Sequence, residues 1–144
     1  MIERMKMNLP RLAISVIALA IFFAIFDMVC HGGLLGSQYG ATKEVWRSEE
    51  EMKAWFPFQM ACYLPIAIGF ATLWALAFGN RGLGVKHGAL FGFLMGLVGT
   101  GGMVMMFAFM PIPTQFMLPW AVIGLSGGVL GGVVAALVYK PKAA

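Results

Sequence analysis

Residues 116–139 read FMLPWAVIGLSGGVLGGVVAALVY, an unbroken run without a charged side chain. In water such a segment would have to be buried on every side. In lipid it is a span, because about 20 apolar residues cross a hydrocarbon core about 30 Å thick. Three more apolar runs lie upstream, at about 12–29, 58–78 and 88–110, the first carrying Asp27 near its end. Of 144 residues, 60% are hydrophobic and 19 are glycine, against ten Lys or Arg and six Asp or Glu. A soluble domain would carry charge on about a quarter of its residues. The composition therefore disfavours a soluble enzyme, a secreted disulfide scaffold and a disordered chain. A nucleic-acid partner is disfavoured too, because the net +4 is spread thinly instead of gathered into a patch. The expected fold is an all-α membrane protein: one transmembrane domain over residues 1–144, with four transmembrane helices in an up-down antiparallel bundle. Short links at 79–87 and 111–115 impose that alternation.

Lys and Arg fix the expected orientation, since cytoplasmic flanks are enriched in them. Arg4, Lys6 and Arg11, then Arg81 and Lys86, then Lys140 and Lys142 all fall on one side of an even-numbered bundle. The other side has only Lys43, Arg47 and Lys53, diluted by Glu44, Glu49, Glu50 and Glu51. Both termini are expected in the cytoplasm, with the acidic loop 30–57 outside. The first run also resembles a signal peptide, but no small-x-small cleavage site follows it. Val29 and Asp27 are also wrong for lipoprotein cleavage before Cys30, so a retained helix is expected. Within the outer loop, Ser48 and Glu51 have the spacing of a capping box. A short interfacial helix is expected from Ser48, bending into the second span at Pro57. Gly32, Gly33, Gly36 and Gly40 read as an irregular descent before it.

Small residues let transmembrane helices approach closely where the hydrophobic effect cannot drive them together. Gly88, Gly92 and Gly96 recur at four-residue spacing in the third run. The fourth run has two such stripes, Gly124, Gly128 and Gly132 on one face and Gly127, Gly131 and Ala135 on the next. Two stripes imply two neighbours for the last helix: both in its own chain, or one of them in another.

The chemistry-bearing residues gather near the outer side. Asp27 and His31 share a face at i,i+4 spacing and could hydrogen-bond. An ionisable residue inside a span is by default a functional candidate, here as a cation entry point or as support for a metal-binding imidazole. The alternative is a structural cap joined to Lys43 or Arg47. Cys30 and Cys62 fall at one depth, where a disulfide or two free thiols would both fit. With His31, Met103, Met106 and Met110 they form a soft-ligand collection suited to copper(I), although methionine is also the ordinary filler of apolar gaps. His31 and His87 lie at opposite faces and cannot ligate one haem. No catalytic triad, phosphate loop or carboxylate pair is present.

The segment Phe26-Asp27-Met28-Val29-Cys30-His31-Gly32, with Tyr39, Trp46-Arg47, Glu51-Met52 and Met110-Pro111-Ile112-Pro113, resembles a group of small, uncharacterised four-span bacterial membrane proteins. The resemblance implies the fold and a bacterial inner-membrane location, and no activity. The expected function is that of a non-catalytic accessory or structural subunit, packing through the glycine faces of the third or fourth helix in a larger membrane complex or a homo-oligomer. Bound lipid, no resident cofactor and an outer partner at the acidic loop complete that expectation. The competing reading is a small channel or transporter for a cation or metal, copper included, using Asp27, His31 and the outer-face Met and Cys residues.

Overall fold

The computed structural model describes residues 7–142. Arg4 and Lys6, which entered the charge reading, lie outside the described residues. The described chain is helical and contains no strand. Its helices are α1 (Leu9–Asp27), which continues as a π-helical segment (Met28–Leu34), α2 (Gly36–Ala41), α3 (Glu49–Ala77), α4 (Val85–Met105) and α5 (Met117–Val138). Four continuous helical stretches are long and apolar enough to cross a membrane: Leu9–Leu34, Glu49–Arg81, Val85–Ala108 and Thr114–Val138. Ile14, Ile17, Ile21 and Ile25 form an exposed stripe along α1, each at least half exposed. Such a stripe suits contact with lipid and would be a liability in water.

Local chemistry sets the element ends. Asn8 caps α1 by accepting the Arg11 amide, with Pro10 in the first turn. Ser48 and Glu51 form both bonds of the capping box, so α3 starts where the sequence places a helix start. That helix differs from expectation in one respect. It is not a short interfacial helix followed by a span but one 29-residue helix containing both Pro57 and Pro65. The glycine-rich segment after α1 also differs, being π-helical and then α-helical instead of irregular. Between α3 and α4, Gly82 adopts φ 69°, a left-handed turn that glycine takes without a Cβ penalty.

α4 and α5 form the closest helix pair. Gly88 faces Gly132, Gly92 faces Gly128 and Gly96 approaches Gly124, so the numbers rise along one helix as they fall along the other. A Cβ on Gly92 would strike the Gly128 carbonyl oxygen, and one on Gly132 the Gly88 carbonyl oxygen. The second stripe of α5 meets α1: a Cβ on Gly127 would lie 2.8 Å from the Phe26 ring, and one on Gly131 would lie 2.7 Å from the Phe23 ring. Both neighbours of α5 on its glycine faces therefore belong to its own chain.

α3 and α4 meet through aromatic side chains. Phe70 packs edge-on to Phe91 with ring centroids 5.0 Å apart, and Trp74 lies 5.7 Å from Phe91 and 5.6 Å from Phe78. Leu19, Ala71 and Trp74 are fully buried in this core. At the same end, Tyr139 donates to Asn80 Oδ1 (2.5 Å) and accepts from the Asn8 amide (3.2 Å), while Asn8 Nδ2 donates to the Lys140 carbonyl (3.1 Å). This latch joins the start of α1, the turn after α3 and the end of α5, and it defines a terminal end of the molecule. A second, smaller core of Leu35, Ile112 and Phe116 lies at the opposite, loop end.

Candidate functional site at the loop end

The change from α to π hydrogen bonding at Met28 decides how this site is assembled. A π turn is bonded i→i+5, here seen as the Leu35 amide on the Cys30 carbonyl at 3.0 Å. Asp27 and His31 do not bond to each other, because each has another partner. Asp27 Oδ2 accepts from the Tyr63 hydroxyl of α3 at 2.8 Å. His31 Nδ1 lies 2.7 Å from the Tyr39 hydroxyl, which also accepts from Trp120 Nε1 of α5 at 2.8 Å. Neither Lys43 nor Arg47 reaches Asp27. Among the described residues the ion pair formed is the exposed Arg47–Glu51 contact at 3.9 Å.

The His31–Tyr39–Trp120 chain has an internal order. Trp Nε1–H only donates, so it occupies a lone pair of the Tyr39 oxygen. Burial pushes the Tyr39 phenol above its ordinary pKa; the Trp120 hydrogen bond opposes this and the Asp27 charge adds to it. The phenol keeps its proton at neutral pH, and its contact with His31 Nδ1 is a hydrogen bond whose donor is set by the imidazole tautomer. Aromatic packing holds the chain in place: Tyr39 stacks on Phe116 at 4.8 Å, and Trp46 meets Tyr39 edge-on at 5.2 Å.

Two cavities adjoin this chain and share His31, Gly32, Tyr39 and Trp120 in their walls. One, of about 530 Å³, also has Asp27, Phe56, Gln59 and Met103 on its wall. The other, of about 750 Å³, extends along Gly36 and Gly40 to Lys43, Trp46 and Arg47. The chain matches no protein-family model, no curated protein and no solved structure. The site is thus interpreted from its own residues.

Of the soft-ligand collection, the structure brings Asp27, His31 and Met103 around the smaller cavity. Cys30, Cys62, Met106 and Met110 stay off its wall. Among the described residues, no three His, Cys, Asp or Glu side chains converge as a metal cluster. Cys30 is buried, Cys62 is half-buried, and both thiols are free. The bridge their shared depth allowed is not formed, since equal depth on two helices does not also bring two Cβ atoms face to face. His87, in the first turn of α4, takes no part in the site.

Tyr63, Tyr39, Trp120 and Gln59 are the site residues that sequence reasoning missed. Tyr63 and Trp120 bond to residues 36 and 81 positions away, a pairing no local spacing encodes. A polar glutamine at the start of an apolar run was the one signal available for Gln59.

Proposed function

We propose that this chain is a four-span antiparallel bundle of the bacterial inner membrane, with both termini cytoplasmic, that serves as a non-catalytic accessory subunit engaging its partner at the loop end. The basic residues at the terminal end, Arg11, Arg81, Lys86, Lys140 and Lys142, support that orientation. Glu49 and Glu50, beside the capping Glu51, then face the outer compartment, where they can meet a partner.

One observation supports the interaction role: the polar cavities lie at the loop end of the bundle. Beyond it toward the terminal end, the space between α3 and α4 is filled by Phe70, Trp74, Phe78 and Phe91. Among the described residues, the buried side-chain atoms without a hydrogen-bond partner, Ser15 Oγ, Trp74 Nε1, Asn80 Nδ2 and Thr100 Oγ1, form no relay. A conduit needs polar or hydrated contacts along its length. The glycine stripes serve the chain's own closure, which leaves the loop end and the lipid-facing surfaces as the contact surfaces for other subunits.

Native mass spectrometry of protein extracted from its own membrane into lipid discs tests this proposal. The expected result is a stoichiometric complex with a second membrane protein. A lone chain that passes cations in reconstituted liposomes, with flux abolished by Asp27→Asn, would contradict it.

A further inference from the structure

The smaller loop-end cavity has a definite charge character. Asp27 is the one anionic side chain on its wall, and no Lys or Arg lines it. The hydrogen-bond partner of Asp27 is the neutral Tyr63 hydroxyl, while Nδ1 of the neighbouring imidazole is engaged with Tyr39 and not with the carboxylate. A carboxylate at membrane depth without a countercharge is costly, and such residues are ordinarily paired. The rest of the wall is aromatic and soft: Phe56, Tyr39 and Trp120 present π systems, and Met28 and Met103 present polarisable thioethers.

The geometry points to a binding site for an organic ammonium group, seated between the Asp27 carboxylate and the aromatic wall. An anion would face the carboxylate with no cation to hold it. A neutral molecule would leave Asp27 uncompensated. A dehydrated metal ion asks for four or more ligands at short range, and this wall offers no such cluster. The cavity, about 530 Å³, is also far larger than one ion. Alkylammonium groups combine a diffuse positive charge with an apolar surface, which aromatic faces and a single carboxylate recognise together. The ammonium could be that of a small free molecule or of a lipid headgroup from the outer leaflet. The chemistry is the same in either case. The inference does not depend on the accessory role, because a subunit without any partner would have the same cavity.

The test is equilibrium binding of radiolabelled benzyltrimethylammonium to the full chain in phosphatidylglycerol discs. Its uncharged carbon isostere, neopentylbenzene, serves as competitor. Saturable binding is expected, with neopentylbenzene at least about tenfold weaker than the unlabelled cation. Asp27→Asn, whose amide oxygen still accepts from Tyr63, is expected to melt like the parent and to bind the cation at least about tenfold more weakly. Phe56→Ala provides a variant that spares the Asp27–Tyr63 bond, with a loss of a few-fold expected. Replacing part of the phosphatidylglycerol by phosphatidylcholine separates the sources. Weaker apparent binding there assigns the site to a lipid headgroup, and unchanged binding assigns it to a free ammonium. Equal competition by the isostere, undiminished affinity in Asp27→Asn, or no saturable binding would each overturn the inference.

Discussion

At the scale of single residues, the loop end depends on Tyr39, whose hydroxyl ties the π segment to α5 through His31 and Trp120. Tyr39→Phe keeps the ring stacked on Phe116 but leaves the part-buried Trp120 Nε1–H and an imidazole nitrogen without this partner. The expected cost is about 1–2 kcal/mol, read as a lower melting temperature in lipid discs. An unchanged melting temperature would show that the chain is not structural. The pH dependence has a definite sign. Burial raises the folded-state pKa above the ordinary value of 10.0, so the unfolded chain loses this proton first as pH rises. The Tyr39 contribution is therefore complete at neutral pH and declines above about pH 10. The stability difference between parent and Tyr39→Phe should shrink as pH rises through that alkaline range. Little of this site was legible in the sequence. Asp27 and His31 stand out as ionisable residues in or beside an apolar run. Their partners Tyr63 and Tyr39 do not, because a tyrosine near a membrane interface is ordinary and its hydrogen bond is a fact of tertiary packing.

At the scale of elements, sequence and structure agree where a local rule governs. Ser48 with Glu51 marks the start of α3 because both capping bonds are made within four residues. Ser48→Ala should destabilise by about 1 kcal/mol and speed hydrogen exchange at residues 49–52, the first turn of α3. The π segment shows where local rules stop: over the seven residues Met28–Leu34 there are too few turns for a periodicity to distinguish π from α bonding. The persistence of α3 through Pro57 and Pro65 is similar, since neighbouring contacts in a bundle offset the lost backbone bonds. The glycine stripes give the sharpest contrast among substitutions. Gly128→Leu places a side chain against the Gly92 carbonyl and should cost about 3 kcal/mol or more, lowering the stability of the isolated chain. Gly99→Ala meets open space and should be neutral or stabilising by up to about 1 kcal/mol. Steric-trap or SDS unfolding would measure both. Similar behaviour of the two variants would remove the α4–α5 glycine contact from the account.

At the scale of the whole molecule, the four long helices follow from composition, because no other structure satisfies so many apolar residues and so few charges. The sidedness was also partly legible, as basic residues collect at one end and acidic residues at the other. The asymmetry of the interior was not. Aromatic side chains close the terminal half, while a polar, cavity-bearing half lies at the loop end, and only the packing of α3 against α1 and α4 shows this. A site confined to the loop end makes thiol labelling from defined sides of the membrane side-specific. In a background of Cys30→Ala and Cys62→Ala, Gln59→Cys lies on the cavity wall and Ala71→Cys, on the same helix, lies in the aromatic core. The account predicts that an impermeant maleimide labels the Gln59 position from the outer side alone and the Ala71 position from neither side. Labelling at position 71, or labelling at position 59 from the cytoplasmic side, would contradict it.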